Sequence, residues 1–463
     1  MKIKLTKPLT AKEIEAPTGA LRATDISQDE RIDAIATHSD EVEKNTLFLA
    51  FCGEKTHGDR FHGEVTKRGG CIMSEKSLSR GFKVTSVSDA LFSLAKDHLA
   101  SLKRLKSTVC ITGSVGKTTT KEILSRILSP HAALHATEGN QNSEIGLPLT
   151  VLAAAEDTEI LLLEAGMNHR GELARLSYLA RPDLAIITNI GYAHVGNLGS
   201  REAIAEAKKE ILLGMKEGGT ALIPDSEALL SGIERAKKIS LHSEDADYAL
   251  FRESESILFK DRAGARILFP TDMKDPAMLS ACAFAAAAAL HLGIAPSLIE
   301  NAISKLSNNI FRQKVYKKNK TEIIFDAYNA SPESVLNAIR TLCEKKDGRA
   351  CALVLGDMRE LGAYTESQNE RIAAAIAEPR NAPALLFLFG ENASSVARYA
   401  IKAGYPRDRI FENPNAERPE DTAKEILNNA KDGMRIVIKG AHGMRMERIL
   451  HLLTKGRDGD KNA

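Results

Sequence analysis

Apolar and polar positions along the chain sort into short buried-strand runs separated by helical stretches. Residues 46–51, Thr-Leu-Phe-Leu-Ala-Phe, read as a buried strand, and the polar run 52–61 after it as a surface loop. A basic helical stretch, 95–106, closes this first unit. The β-branched run 107–111 is followed by a glycine loop and then by 121–128, whose apolar residues recur at helical spacing. From there to residue 311, strands at 107–111, 159–164, 183–189 and 219–223 alternate with helices, 203–213 and the alanine-rich 281–292 among them. Such alternation predicts a mostly parallel sheet covered by helices on both faces. After a basic stretch at 311–320, strands at 322–325, 350–355, 384–389 and 434–438 predict a second open α/β sheet. In its first helix Ser331 stands near the cap and Pro332 in the first turn. A chain of 463 residues is long for one core, so three α/β domains are expected, at 1–106, 107–311 and 312–463.

The glycine loop changes the picture from fold to chemistry. In Gly113-Ser114-Val115-Gly116-Lys117-Thr118-Thr119, lodged between a strand and a helix, backbone N–H groups and the positive helix end converge where phosphate oxygens can settle. The glycines let the backbone approach closely, Lys117 would reach the β- and γ-phosphates, and the Thr118 hydroxyl would sit on Mg²⁺. The generic P-loop has a further glycine five positions before Gly116, where this chain has Ile111, so the loop is a variant. Ligands collect at the carboxyl ends of strands in such sheets. Glu164 closes one strand and could give Mg²⁺ a hard oxygen ligand, while His194 follows the next and by itself reads as a capping or packing residue. Lys208 and Lys209 by themselves read as a solvated helix face paired with Glu206 and Glu210.

Composition narrows the function classes. A formal net charge of +2 gives no broad field for nucleic acid or an anionic membrane, so an anionic ligand has to be held locally. The six cysteines are scattered without a C-x-x-C pair and read as buried thiols in a reducing compartment. The amino-terminal Met-Lys-Ile-Lys-Leu-Thr-Lys has no apolar signal-peptide core, and the apolar segment 281–294 is too short to span a bilayer. A cytoplasmic protein without membrane insertion is expected.

Several longer motifs then fall into place together. Thr112-Gly-Ser-Val-Gly-Lys-Thr-Thr, Thr137-Glu-Gly-Asn140-Gln-Asn142-Ser-Glu-Ile-Gly146-Leu-Pro148, Glu164-Ala-Gly-Met-Asn168-His-Arg-Gly-Glu172 and Thr188-Asn-Ile-Gly-Tyr-Ala-His194 lie in the middle unit. Asp326-Ala-Tyr-Asn329-Ala-Ser-Pro-Glu-Ser and Leu355-Gly-Asp357-Met-Arg-Glu360-Leu-Gly362 lie in the last. With them, almost the whole chain resembles the Mur ligases, the ATP-dependent amide-forming enzymes of peptidoglycan synthesis. Within that family it is most similar to the branch that adds D-alanyl-D-alanine to UDP-N-acetylmuramoyl-tripeptide. The resemblance implies a UDP-substrate domain, an ATP-binding domain and a Rossmann-like domain for the incoming amine, working through an acyl phosphate as a monomer.

The resemblance also implies residue roles. ATP would meet Gly113 to Thr119, Asn140, Arg312, Asp326 and Asn329, with Arg312 reaching the γ-phosphate from the hinge. Two Mg²⁺ ions are implied, with Thr118 and Glu164 on one and His194 near the other, and Lys208 is implied to be carbamylated by CO₂, an anion that can reach a magnesium ion. The two peptide substrates would meet Ser39, Gly53, His57, Asn142, Asn329 and Lys439. Three departures stand out. The family's Asp-Ser-Arg is His38-Ser39-Asp40 here, the asparagines before the alanine-rich helix are replaced by Asp275-Pro-Ala-Met-Leu-Ser-Ala281, and Lys-Gly-Ser-Arg is Lys439-Gly440-Ala441-His442. The Asp-x-Pro-Arg of the third-residue ligase is absent, with only Glu412-Asn-Pro-Asn415 nearby. Other readings are that ligase, a folate polyglutamylase, a P-loop ATPase acting on a protein partner, and a weakened homologue that binds UDP-sugar peptides as a regulator.

Overall fold

The computed structural model describes all residues except 54–55, 242, 254–255, 274, 307–313, 328–329, 344–347 and 455–463, and the side chains of Leu342 and His442. Three sheets follow one another along the chain. The first joins strands Lys2–Thr10, Arg31–Ala36, Thr46–Leu49, Cys71–Ser74, Gly81–Lys83 and Leu21–Arg22 in that spatial order, the middle four running parallel. Thr46–Leu49 is buried along its length, as its apolar run predicts. Helix Val87–Ser101 covers this sheet and reaches the middle unit, where the Arg175 guanidinium lies 4.0 Å over the Phe92 ring. That helix ends at Ser101, so the basic stretch 102–106 is a non-helical connection, a correction to the expected helix 95–106.

The middle sheet has nine strands, and its parallel part contains every strand the sequence predicts there. Ser107–Thr112 lies between Ile160–Glu164 and Leu184–Ile187, parallel to both. The chain leaves Ser107–Thr112 first to one side and later returns to the other, so the loop after it opens at a switch point of the sheet. Helix Lys117–Leu128 buries Ile123, Leu124, Ile127 and Leu128. It packs beside helix Pro276–His291, whose run of fully buried alanines lets the two backbones approach closely. Asp275 caps that helix by accepting the Ala277 N–H at 2.9 Å. The sheet extends beyond the expected strands through an antiparallel meander, Tyr248–Glu253, Ser256–Asp261 and Arg266–Phe269, in which the Phe259 ring stacks between Tyr248 and Phe269.

The third sheet runs Lys314–Lys318, Thr321–Asp326, Arg435–Lys439, Cys351–Gly356, Leu385–Phe389 and Ile410–Asn413, parallel except for the first strand. Asp326 and Lys439 are register neighbours at two adjacent carboxyl ends. Helix Pro332–Leu342 starts as predicted, with Ser331 accepting from the Ser334 N–H in a reciprocal cap. Five of the six cysteines are buried free thiols, and Cys52 is exposed, which corrects the reading of all six as interior.

One backbone contact sets the position of the helix that carries Lys208. The Gly214 N–H donates to Ser177 Oγ at 3.0 Å, and Ser177 Oγ donates in turn to the Ile211 carbonyl. A Cβ on Gly214 would stand 2.2 Å from the Ser177 carbonyl oxygen and 2.5 Å from the Tyr178 nitrogen, both backbone atoms that cannot rotate away. Gly214→Ala is therefore expected to destabilise the protein by about 2–3 kcal/mol, read as a lowered denaturant midpoint at unchanged slope.

Candidate active site

The glycine loop is shaped by the strand end beside it. Gly113 has φ of 146°, and a Cβ there would come within 1.9 Å of Thr188 Oγ1, so only glycine fits. Gly116 is left-handed at φ 85° and caps helix Lys117–Leu128. Residues 188–191 brace the loop from outside. Asn189 Oδ1 accepts the Val115 N–H at 2.9 Å, the Asn189 carbonyl accepts the Ser114 N–H at 3.2 Å, Thr188 Oγ1 donates to the Val115 carbonyl at 2.6 Å, and the Gly191 N–H donates to Ser114 Oγ at 2.8 Å. These bonds use the outward-facing polar groups of the loop. The Lys117 ammonium bends over it and donates to the Gly113 carbonyl at 2.7 Å.

Beside the loop stands a carboxylate with no exposed surface. Glu164 Oε2 accepts from the Thr118 hydroxyl at 2.6 Å, Oε1 accepts from Asn142 Nδ2 at 2.7 Å, and the Glu164 N–H donates to Thr137 Oγ1 at 3.0 Å. Lys121, buried one turn after Lys117, donates to the Thr137 carbonyl and so ties this segment to the loop helix. Among the described residues no three His, Cys, Asp or Glu side chains converge as a metal cage. A hydroxyl and a carboxylate 2.6 Å apart beside a phosphate loop are instead the partial oxygen shell that suits Mg²⁺, which keeps waters and takes phosphate oxygens.

His194 caps the short helix Val195–Leu198 in a left-handed conformation, φ 66°, uncommon for a residue with a Cβ. Its Nδ1 lies 2.6 Å from Glu360 Oε2 of the third unit, although the ring N–H does not point straight at the oxygen. The His194 ring holds the Glu360 carboxyl below its ordinary range. The two lysines of helix Arg201–Lys209 separate cleanly. Lys209 pairs with Glu206 at 2.8 Å, as the sequence suggests, but Lys208 is buried and makes no hydrogen bond or ion pair among the described residues. Burial, and then the nearby Lys117 charge, push the Lys208 amine well below its ordinary value of 10.5. Glu210, expected to pair with these lysines, instead accepts the Gly171 and Ala174 N–H groups at the start of helix Glu172–Ala180.

A cleft of about 590 Å³ gathers some of these groups, Lys117, Asn142, Glu164 and His194, whereas Thr118 and Lys208 are not in its lining. Ser114 to Lys117, Asn142, Glu164, His194 and the start of helix Pro276–His291 line one side, and Asp326, Ser331, Glu333 and Lys439 the other. The buried Lys439 ammonium pairs with Asp326 at 3.1 Å. Asn140 is exposed on a turn and does not line the cleft. Ser39, buried in the turn Ser39–Glu41, Gly53, whose N–H meets the Thr56 carbonyl at 3.0 Å, and His57, paired with Asp59 at 3.0 Å, belong to the first unit and do not line it either. Arg312 and Asn329 lie outside the described residues.

The chain's relatives fit this geometry. The sequence pattern of the Mur ligase middle domain matches residues 111–271, and that of the Mur ligase glutamate ligase domain matches residues 312–442. A Bacillus subtilis protein named UDP-N-acetylmuramoyl-tripeptide–D-alanyl-D-alanine ligase is 34% identical over 430 residues, covering 90% of this chain and 92% of that one. The chain belongs to the Mur ligase family. Among solved Mur ligases, the MurF of Acinetobacter baumannii superposes with a TM-score of 0.84 at 26% identity, over 97% of this chain and 99% of that one. The MurF ligase of Thermotoga maritima, solved in complex with ADP, gives 0.74 at 27% identity over 90% of this chain and 96% of that one.

Sequence reasoning about this Mur ligase passed over several residues that shape the site. Asn189 and Thr188 were visible only as parts of a motif, and Lys121 only as a helix lysine four positions from Lys117. Arg340 and Arg371 line the cleft with no motif around them. The isolated burial of Lys208 carries its own test. Replacing it with methionine removes a polar group that has no partner, so Lys208→Met is expected to gain about 1–2 kcal/mol of stability at pH 7. Because the folded amine sits below its unfolded value of 10.5, the unfolded chain binds the extra proton as pH falls, and the burial cost grows in that direction. Denaturation at pH 7 and pH 10 should therefore show the larger gain at pH 7.

Proposed function

We propose that this protein is the ATP-dependent ligase that joins D-alanyl-D-alanine to UDP-N-acetylmuramoyl-tripeptide, giving the UDP-linked pentapeptide, ADP and phosphate. The observation that carries the reading is the near full-length match to a ligase of that name together with the braced glycine loop and the Thr118–Glu164 pair. The units at 1–106, 107–311 and 312–463 take the UDP moiety, ATP and the incoming amine respectively. We place the protein in the cytoplasm, as a monomer, where its soluble precursors are made.

Two anions have to meet: the tripeptide carboxylate and the γ-phosphate. Lys117, at the mouth of the loop, swings from the Gly113 carbonyl to the transferring phosphoryl group, while the loop N–H groups that residues 188–191 leave unused hold the β-phosphate. Thr118 and Glu164 are suited to one Mg²⁺, and His194 with a Lys208 carbamate to a second. Magnesium bound there supplies the positive charge that offsets repulsion between the reacting groups. Lys208 is chemically prepared for CO₂, because only the neutral amine attacks it and the buried amine is neutral over a wider pH range than an exposed one. The carboxylate oxygen then bonds to the γ-phosphorus as ADP leaves, and the dipeptide amine attacks the acyl carbon, loses a proton and expels phosphate. Arg312, at the hinge, reaches the γ-phosphate, and Asp326 with Asn329 faces the nucleotide and the amine. Asn142 and Lys439 orient peptide groups, and Ser39, Gly53 and His57 face the UDP moiety.

Phosphate release is expected only when UDP-N-acetylmuramoyl-tripeptide and D-alanyl-D-alanine are present together, with the pentapeptide seen by mass spectrometry. Release that needs neither substrate would replace this reading by that of an ATPase with a protein partner. Lys117→Ala should lower turnover by about a hundredfold or more while leaving the circular dichroism spectrum unchanged. Lys208→Ala should be nearly inactive and recover partly with a short added carboxylate such as formate, and Lys209→Ala being the crippled variant instead would move the carbamate to the other lysine.

A further inference from the structure

Residues 188–196 serve two neighbours at once. Their first half braces the glycine loop, ending with the Gly191 N–H on Ser114 Oγ at 2.8 Å. Their second half is gripped by the third unit. The Tyr192 N–H donates to Glu333 Oε1 at 3.1 Å, the Gly196 N–H donates to the Glu360 carbonyl at 2.6 Å, and the Tyr192 and Tyr364 rings lie 5.6 Å apart. Glycines make the grip possible. A Cβ on Gly191 would fall 2.6 Å from the Glu333 carboxyl carbon, and one on Gly196 would fall 2.7 Å from the Glu360 carbonyl oxygen.

Glu333 is the unusual member. It follows Pro332 in the first turn of helix Pro332–Leu342, where the helix end favours a negative charge. One of its oxygens takes the Tyr192 N–H, and the other is buried with no partner among the described residues. The side chain as a whole is half-buried at the rim of the cleft, but an oxygen buried without a partner is costly and calls for an explanation other than stability.

We propose that Glu333 is a positioning residue: through the Tyr192 N–H it ties the third unit's approach to the segment that shapes the phosphate loop, so that docking of the amine-binding unit and setting of the loop for phosphoryl transfer are one event. The inference rests on the ligase reading above. The half-satisfied carboxylate keeps the docked state shallow, which allows the third unit to lift away once the product is formed. The effect of Glu333 is carried by two consecutive N–H groups, Gly191 to Ser114 and Tyr192 to Glu333.

Hydrogen–deuterium exchange of the peptide covering residues 188–196, measured on the full chain without substrates, reads the contact directly. Glu333→Ala should speed exchange at the Tyr192 amide by about tenfold, the value of one lost hydrogen bond, and Glu333→Gln should restore protection because its amide oxygen accepts the same N–H. In steady state, Glu333→Ala should lower kcat by about tenfold with KM for ATP within about twofold, and Glu333→Gln should recover most of kcat. Unchanged exchange in Glu333→Ala, faster exchange with unchanged kcat, or a glutamine variant as impaired as the alanine one would each overturn the proposal. Wild-type turnover in the same assay tests the ligase reading separately, and the exchange arm does not depend on it.

Discussion

The site is organised around a carboxyl group with no exposed surface at the edge of the cleft. Glu164 ends a buried strand, and burying an ionised carboxylate is affordable only if its oxygens are bonded, here by the Thr118 hydroxyl and the Asn142 amide. Those two partners come from opposite sides. Thr118 belongs to the first turn of the loop helix and Asn142 to the segment that Lys121 holds through Thr137. Satisfying one carboxylate thus fixes the relation between the glycine loop, its helix and the 137–142 turn. An oxygen that accepts a neutral hydroxyl has the chemistry to accept a divalent cation in the same place, so the group that orders this site is also one suited to a metal.

Next to this carboxyl group the chain collects three lysines and buries two of them. Lys117 lies over the loop, Lys121 is buried against Thr137, and Lys208 is buried without a partner close enough to Lys117 for the two charges to oppose each other. Lys117 and Lys121 each donate to a backbone carbonyl, of Gly113 and Thr137 respectively. Lys208 has none among the described residues, and burial, then the Lys117 charge, push its amine well below the ordinary value. Stability is sacrificed at that one position. The Gly214–Ser177 contact, which admits no Cβ, holds the helix end that keeps Lys208 inside.

How much of this the sequence discloses depends on range. The glycine loop, Glu164 at its strand end and the Ser331 cap are local patterns, and the structure has them where the residues say. Lys208 stood at the limit of legibility. Ile204, Ala207 and Ile211 mark the buried face of its helix, and Lys208 falls among them, but two adjacent lysines flanked by glutamates carry the stronger signal of a solvated face. The antiparallel meander 248–269 escaped because its strands are short and rich in charge, and its apolar alternation becomes decisive only once Phe259 is seen between two other rings. Contacts such as Glu333 with Tyr192 join residues 141 positions apart, and no spacing rule reaches that far.

The motif that most sharply marks the branch, Gly356-Asp357-Met-Arg-Glu360-Leu-Gly362, shows how a signature can act at one remove from chemistry. Asp357 does not enter the main cleft. Its carboxylate accepts the Glu391 and Asn392 N–H groups at 2.9 and 3.1 Å, and a Cβ on Gly390 would stand 2.4 Å from it. Burial pushes this carboxyl above the usual range against the pull of those two N–H groups, the mark of an acid retained for shape. With the strand end so anchored, the chain can turn through Glu360 in a left-handed conformation, φ 67°, and present its carbonyl to Gly196 and its carboxylate to His194. Arg359, meanwhile, packs its guanidinium against Gly443, at the place where the family's usual Ser-Arg is Ala441-His442. The motif therefore supplies two of the contacts by which the third unit meets the middle one.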